Sequence, residues 1–255
     1  MQNRPFTVVE ETDDWIVVDK PPFLLIHPKK PDGPKTLWDG LRGLLAFELA
    51  NGGSISIINR LDRETSGLVL VCKTAEAARR FHTAMSRRAV QKEYLALVWG
   101  WPEQDEFTVC APMLRQGERL PTAIYLKRCV HPAGAEAVTR FRVEQRFEKQ
   151  TRAGDRFALV RAFPETGRTH QIRVHLAHAG HPIVGDKIYG PDERCYLEFI
   201  ETGWTPSLES RLLLPRHALH SARLRVETEE GKGTLEWNAP LAPDLSRWML
   251  SASSV

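Results

Sequence analysis

A short charged segment between two aliphatic runs is the feature that most constrains this chain. Residues 55–58 precede it and residues 67–71 follow it, and both runs have the β-branched or aliphatic character of buried strands. Asp62 lies in this segment between Arg60 and Arg63. Loops held by strands often carry catalytic side chains, and a nearby arginine lowers the pKa of an aspartate and keeps it ionised. Asp62 is therefore a candidate nucleophile or base, with a salt-bridged surface turn as the alternative.

Length, composition and charge indicate an ordinary globular protein. The 255 residues, 42% of them hydrophobic, are enough for one large domain or two modest ones. The net charge of +3 permits a local nucleic-acid-binding patch without requiring one. The four cysteines have no paired zinc spacing, which is typical of reduced thiols in a cytoplasmic protein. We recognise no membrane span and no signal-peptide core, so we expect a soluble protein.

Periodic patterns predict an α+β fold. Alternating apolar residues predict strands over residues 7–19 (with a turn at 13–14), 92–98, 137–143, 157–163, 218–227 and 234–238, the last two joined by a turn at 230–233. Residues 106–130 are irregular and predict short strands and loops. Strands predominate over crossovers, which favours a largely antiparallel sheet.

Threonines at the start of apolar stripes predict helices. The capping residues are Thr36 for a helix over residues 36–50, Thr74 for a helix running to about Arg88, and Thr169 for a helix that ends at Gly180. Residues 243–250 predict a short final helix. Residues 191–217 have the pattern of an irregular insertion.

Histidines cluster in the second charged segment, so a metal site has to be weighed. His170, His175, His178 and His181 are spaced by five, three and three positions, with no Glu-x-x-His pair. This spacing is a weak match to metal-binding patterns, and it favours capping or core histidines. The chain also has neither a glycine-rich phosphate loop nor a dinucleotide fingerprint. We therefore expect no metal and no cofactor.

Four motifs resemble one known family. Residues 59–68, Asn-Arg-Leu-Asp-Arg-Glu-Thr-Ser-Gly-Leu, resemble the His-Arg-Leu-Asp-x-x-Thr-Ser-Gly signature of RluA-type RNA pseudouridine synthases, with Asn59 in place of the usual histidine. Residues 166–175 and 181–186 resemble the C-terminal motif of the family. Weaker resemblances surround Lys20 and Tyr94, and Phe23 stands where the family often has glycine. The resemblance extends from about residue 13 to residue 237.

The resemblance implies a fold and an activity. The expected architecture is the pseudouridine synthase fold, a mixed and largely antiparallel sheet flanked by helices around a central active-site cleft. Residues 1–255 would form a single catalytic domain without the S4 RNA-binding module of some relatives. The expected activity is that of an isomerase converting specific uridines of structured rRNA or tRNA to pseudouridine. Together with the cysteine pattern and the missing cofactor motifs, this leads us to expect a cytoplasmic protein that uses no nucleotide cofactor, and a monomer is taken as the default.

The same resemblance assigns catalytic roles. Asp62 would be the catalytic carboxylate, acting as a nucleophile at C1′ or as a base on C2′, and these two routes stay open. Arg168 would hold Asp62 ionised and oriented. Tyr94 would stack on the flipped uracil and help to move the C5 proton.

Basic residues complete the expected site. Arg60 would fill the space that the flipped base leaves in the RNA. The other expected RNA contacts are Arg63, Arg87, Arg88 and Lys92. Two rival functions are weighed against this one. A glycosidase would use Asp62 and Glu64 as its two carboxylates, and a catalytically idle RNA-binding protein would use the basic residues alone.

Overall fold

The computed structural model describes residues 5–28, 30, 33–227 and 233–251. Its strands are β1 (Thr7–Glu11), β2 (Trp15–Lys20), β3 (Ser56–Ile57), β4 (Ser66–Cys72), β5 (Val90–Trp99), β6 (Glu106–Cys110), β7 (Met113–Arg115), β8 (Arg128–Val130), β9 (Val138–Glu148), β10 (Arg156–Pro164), β11 (Leu219–Glu227) and β12 (Thr234–Asn238). Its α-helices are α1 (Leu37–Leu44), α2 (Ala46–Ala50), α3 (Ala75–Ser86), α4 (Gln171–His178), α5 (Arg194–Thr202), α6 (Pro206–Leu212) and α7 (Pro243–Leu250).

The chain divides into two compact units. The first comprises Met1–Lys92 and His220–Pro240, and the second comprises Glu93–Leu219 and Leu241–Val255. Strands and helices occur in both, as the α+β prediction requires. Within the described residues, no helix has both the length and the apolar character needed to cross a bilayer.

The sheet of the first unit has the order β1-β2-β4-β11, with β3 beside β4 and β12 beside β11. Strand β4 pairs antiparallel with β2 and β3, and parallel with β11. All seven residues of β4 are buried, so this strand is the centre of the unit. Helix α3 packs its Ala77 and Phe81 into a core that also holds Trp15 and Trp237. The two tryptophan rings meet edge to face, with centroids 4.9 Å apart.

The predicted helices of the first unit are present, with one break. Thr36 caps α1 in a capping box, because its hydroxyl accepts from the Asp39 nitrogen while Asp39 accepts from the Thr36 nitrogen. The helix predicted over residues 36–50 is interrupted at Leu45, whose ψ of 28° leaves the helical region. Leu45 stays buried through the break, so the apolar stripe continues although the helix does not. Thr74 caps α3 as predicted.

The second unit is built on antiparallel strands in the order β5-β10-β9-β6, with β7 and β8 as a separate pair. Helix α4 packs against β8, β9 and β10. Its Val174 joins a core with Met113, Ile124 and Ile188. These pairings and those of the first unit confirm the largely antiparallel sheet.

Two further predictions are wrong, and one concerns residues that the structure does not describe. The one-sided burial predicted for residues 157–163 is wrong, because the fold buries the opposite face of β10: Ala158, Val160 and Ala162 are buried, whereas Leu159, Arg161 and Phe163 are half-buried. Residues 191–217 are not irregular, since they contain α5 and α6, which share a small core. Residues 230–232 of the predicted final turn lie outside the described residues.

Candidate active site

The loop that carries Asp62 connects β3 to β4. These strands are antiparallel, and the Ile58 nitrogen extends their pairing by donating to the Leu70 carbonyl at 2.9 Å. A second backbone bond, from the Thr65 nitrogen to the Asp62 carbonyl at 3.2 Å, closes a turn at the end of the loop. Asp62 is half-buried between the buried Leu61 and Thr65. The carboxylate therefore lies on a loop between two strands, as the flanking runs predicted, and the structure shows that these strands pair as a hairpin.

Asn59, which replaces the histidine of the family signature, holds one side of this hairpin. Its side-chain Nδ2 donates to the Leu68 carbonyl at 3.0 Å, and its Oδ1 accepts from the Leu70 nitrogen at 2.8 Å. The amide thus pairs with β4 as a further strand residue would, and it is only 5% exposed. A buried backbone N–H without a partner is destabilising, so this amide stabilises the base of the Asp62 loop.

The other side of the hairpin is held by β11. Ser66 pairs with His220 in the parallel ladder, and the Ser66 Oγ lies 3.0 Å from the His220 Nδ1. Gly67 has a φ of 109°, and a Cβ at this position would lie 2.2 Å from the Ser221 carbonyl oxygen. Only glycine permits this approach, which explains in physical terms why the Thr-Ser-Gly run after Asp62 ends in glycine.

Lys20 joins the first motif to the Asp62 loop. Its side chain is fully buried, and its Nζ donates to the carbonyls of Pro21 at 2.8 Å, Leu24 at 3.0 Å and Arg63 at 3.2 Å. Three carbonyl acceptors satisfy all three ammonium protons, which is how a buried lysine becomes tolerable. The residue after Asp62 is therefore tied through its backbone to the turn that follows β2.

The basic residues predicted to contact RNA in the first unit differ in exposure. Arg60 and Arg63 are exposed on the Asp62 loop, and the Arg63 guanidinium approaches Glu64 at 3.4 Å. Arg87 and Arg88 are exposed where α3 ends, Arg88 with a φ of 57°. All four guanidinium groups are therefore accessible to a bound RNA, as their predicted roles require.

Lys92 and Tyr94 lie on β5. Lys92 is half-buried, and burial lowers the pKa of its ammonium group. Tyr94 belongs to the second unit, pairs with Ala162 of β10 and is only 8% exposed. Both positions fit the predicted Lys-x-Tyr strand.

Arg168 lies in a turn organised by Gln171. The Gln171 Oε1 accepts from the Arg168 backbone nitrogen at 2.9 Å and from the Thr166 hydroxyl at 2.8 Å. The Gln171 Nε2 donates to the Val138 carbonyl and to the Thr139 hydroxyl, both at 2.9 Å. The Arg168 side chain is exposed, and its Nε donates to the Glu136 carbonyl at 3.0 Å. One buried amide thus ties the arginine turn to β9.

Helix α4 starts one residue later than predicted. His170, not Thr169, is its N-cap, with a left-handed φ of 61° and no side-chain capping bond. The His170 Nδ1 lies 2.8 Å from the Tyr189 hydroxyl, which also accepts from the Arg128 nitrogen. Gln171 replaces the threonine cap by bonding the turn from inside the helix, so the predicted Thr169 cap is wrong.

The remaining histidines have separate surroundings. The His175 ring is fully buried between the Thr139 hydroxyl at 2.9 Å and the Ala111 carbonyl at 3.1 Å, and burial lowers its pKa. His181 lies 3.1 Å from the Trp99 carbonyl, and His178 is exposed. No group of three or more potential metal-ligating side chains suited to a metal occurs among the described residues.

A buried ion pair joins α4 to the segment that follows it. The Arg173 guanidinium donates to both carboxylate oxygens of Asp186, at 2.6 and 2.9 Å. Burial alone raises the pKa of Asp186, but attraction and hydrogen bonds from Arg173 outweigh it and hold the pKa well below its usual range. Asp186 also accepts from the Ile188 and Tyr189 nitrogens. Arg173 is therefore structural, although it lies in the same motif as Arg168.

A family model described as RNA pseudouridylate synthase matches residues 14–178. This span is more than half of the chain, and it includes both Asp62 and Arg168. The chain belongs to the RNA pseudouridylate synthase family. The enzyme is therefore an isomerase that acts on uridine in RNA, as the RluA-type resemblance predicted.

Curated relatives extend the similarity over nearly the whole enzyme. The ribosomal large subunit pseudouridine synthase D of Haemophilus ducreyi is 36% identical over 253 residues, covering 95% of this chain and 69% of that protein. The proteins of the same name from Salmonella typhimurium and Escherichia coli K12 are 36% and 35% identical over 252 residues, each alignment covering 96% of this chain and 69% of the relative.

Two human structures confirm the fold class. RNA Pseudouridylate Synthase Domain Containing 4 has a TM-score of 0.71 at 23% identity, covering 96% of this chain and 92% of its own. RNA Pseudouridylate Synthase Domain Containing 1 has a TM-score of 0.67 at 24% identity, covering 99% and 96%. At these identities the likeness extends to the fold alone.

The predicted site residues of the enzyme fall into two groups. Arg60, Asp62 and Arg63 share one loop of the first unit, whereas Tyr94 and Arg168 belong to the second unit. The predicted pairing of Arg168 with Asp62, the central cleft and the single catalytic domain stay predictions. Sequence reasoning missed the supporting side chains, chiefly Lys20 and Gln171. Their positions inside the family motifs were the available signal.

Proposed function

We propose that this enzyme converts a uridine of large-subunit ribosomal RNA to pseudouridine, with Asp62 as its catalytic carboxylate. Sequence identity supports this choice of RNA: the chain is 35–36% identical, over 95–96% of its length, to enzymes named for the large ribosomal subunit. Transfer RNA is the second candidate substrate, because short members of the family also modify it.

The reaction needs one carboxylate held close to the ribose of the target. The N1–C1′ bond of the uridine breaks, the uracil turns, and C5 bonds to C1′; C5 then loses its proton and N1 gains one, so the product is an isomer. Asp62 would attack C1′ or take a proton from C2′. Either role gains from fixed geometry, because holding the reacting groups in place removes much of the entropic barrier. Hydrogen bonds made by Lys20, Asn59 and β11 would hold the Asp62 loop in a fixed position.

Arg168 and Tyr94 would assist. A guanidinium near a carboxylate favours its ionised form, and Arg168 has its backbone tied by Gln171 and its Nε by the Glu136 carbonyl. Tyr94 would stack on the uracil that leaves the RNA helix and help to move the C5 proton. Extruding a base from the RNA helix costs a few kcal/mol. Contacts that the enzyme makes only with the flipped base would offset this cost.

Exposed cations would bind the RNA around the target. Arg60 would occupy the space left by the flipped base, while Arg63, Arg87 and Arg88 would contact phosphates, with Lys92 as a further contact. Each phosphate contact makes binding more sensitive to salt, because bound counterions are released. We place the active enzyme in the cytoplasm as a monomer whose two units form one catalytic domain.

Tritium release tests the substrate. Uridine labelled with tritium at C5 loses the label when pseudouridine forms, so separate transcripts of large-subunit rRNA, small-subunit rRNA and tRNA are incubated with the enzyme. We expect release from large-subunit rRNA. Release from tRNA alone would overturn the choice of RNA, and no release from any of these RNAs or from total cellular RNA would overturn the proposed activity.

A further inference from the structure

Phe23 adopts a backbone conformation that large side chains avoid. It lies in the turn after β2 with a φ of 68°, in the left-handed region. In this region the Cβ of an L-residue crowds its own carbonyl, so a bulky residue there is strained. Glycine, which the family often has here, would adopt the same turn without strain. Strained positions of this kind are enriched at sites that grip ligands.

About half of Phe23 stays open to solvent. The Phe23 side chain is 48% exposed. Among the described residues, no aromatic ring and no cationic group stacks on the face of Phe23. Phe47 is more exposed, at 79%, but it lies in the regular helix α2. An exposed ring in a relaxed backbone needs no explanation, whereas an exposed ring in a strained one does.

The turn of Phe23 is fixed next to the Asp62 loop. Phe23 directly precedes Leu24, and the Leu24 and Arg63 carbonyls accept from the same Lys20 ammonium at 3.0 and 3.2 Å. Lys20 is fully buried, so this connection is shielded from water. Both segments lie in the first unit. Phe23 thus lies one residue from a carbonyl that shares the Lys20 ammonium group with the carbonyl of Arg63, the residue that follows Asp62.

We propose that Phe23 stacks on an unpaired base of the substrate RNA that flanks the target uridine, a subsite that glycine could not provide. A flat apolar ring with open faces fits a nucleobase, and the exposed Arg63 on the adjoining loop provides charge for a neighbouring phosphate. The inference rests on the proposed function, because the base belongs to the RNA that Asp62 modifies. Stacking adds affinity for the RNA and selects targets whose neighbouring base is free to unstack.

The test replaces Phe23 by glycine, which keeps the turn and removes the ring. We expect Phe23→Gly to raise KM for the RNA roughly tenfold with kcat little changed. Relief of strain offsets the lost apolar contact, so its thermal midpoint stays near that of the parent. Phe23→Leu, which keeps an apolar side chain without a π-face, should show most of the same rise in KM. Phe47→Ala is the matched control and should change neither quantity.

A spectroscopic probe tests the stacking directly. RNAs carry 2-aminopurine at single positions on either side of the target uridine, and its fluorescence is followed as enzyme is added. We expect a change at one flanking position with the parent and with Phe47→Ala, and its loss with Phe23→Gly. An unchanged KM in Phe23→Gly, or a fluorescence change that persists in it, would overturn the subsite. Absence of tritium release by the parent would instead count against the proposed function.

Discussion

The side chain of Gln171 holds Arg168 in place from inside α4: its Oε1 lies 2.9 Å from the Arg168 backbone nitrogen. The same amide donates to the Val138 carbonyl and to the Thr139 hydroxyl of β9. All of these bonds are within the second unit, and Gln171 is only 3% exposed. The arginine turn is therefore ordered by the fold before any RNA binds.

Removing that amide should affect catalysis as well as stability. Gln171→Met keeps the volume of the side chain but leaves buried groups without partners, so we expect the free energy of unfolding to fall by about 1–3 kcal/mol. Because Arg168 loses its anchor, kcat should fall roughly tenfold or more while KM changes little. Urea unfolding and tritium-release kinetics measure the two effects. Gln116→Met, which removes an exposed amide bonded to the Pro121 carbonyl, is the matched control. Lost stability with an unchanged kcat would show that Gln171 is structural only.

Asn59 should contribute more to stability than an exposed asparagine does. Asn59→Leu leaves the buried Leu70 nitrogen without its acceptor, so we expect a loss of about 1–3 kcal/mol in unfolding free energy. Asn51, which donates to the Phe47 carbonyl on the surface, provides the comparison. Asn51→Leu should lose much less in the same denaturant titration. Equal losses in the two variants would contradict the role assigned to Asn59.

Alanine substitutions at Gly67 and Gly180 distinguish the effect of steric crowding on stability from the effect of backbone strain. Both have a positive φ, but a Cβ at Gly67 would meet the Ser221 carbonyl at 2.2 Å, whereas a Cβ at Gly180 would meet nothing within 4 Å. In Gly180→Ala the free energy of unfolding should therefore fall only by the cost of the left-handed backbone strain, about 1–2 kcal/mol. In Gly67→Ala it should fall clearly more, because the β4–β11 pairing must also shift. Thermal unfolding of both variants measures this, and similar midpoints would rule out the close approach.

The Asp186–Arg173 pair predicts an acid-sensitive contribution to stability. Since the folded-state pKa of Asp186 is lowered, its stabilising effect is present above the unfolded pKa of about 3.9 and is lost as pH falls through the folded pKa. Asp186→Asn leaves Arg173 buried without its charge partner and should lose about 3–5 kcal/mol at pH 7. The difference from the parent should narrow below about pH 4. Denaturant titrations between pH 3 and pH 7 measure it, with Asp13→Asn at an exposed position as control. A difference independent of pH would refute this linkage.

Much of the architecture was predictable because local patterns decide it. The runs flanking Asp62 predicted a loop between two strands, and Thr74 with its apolar stripe predicted α3. The family motifs predicted the activity, since specific residue types recur there at fixed spacing. These features are determined by residues close together in the sequence, so they can be predicted from a single sequence.

Other features depended on contacts that no local pattern contains. The fully buried face of β10 is that of Ala158, Val160 and Ala162, and alternation with a period of two does not reveal which face of a strand the rest of the fold covers. Lysines are rarely buried, so the enclosure of Lys20 by three carbonyls became visible only in the fold. Thr169 had the expected capping chemistry, but Gln171 satisfied the turn instead.

The rate of tritium release by Asp62→Asn shows whether Asp62 performs the isomerisation. Asparagine keeps the size of the side chain and removes its charge, so we expect the rate on C5-labelled large-subunit rRNA to fall by roughly 100- to 10,000-fold or more, with RNA binding and thermal midpoint retained. Glu64→Gln on the same loop is the matched control, and it should stay within a few-fold of the parent. Asp62→Asn turning over at the parental rate would contradict the account.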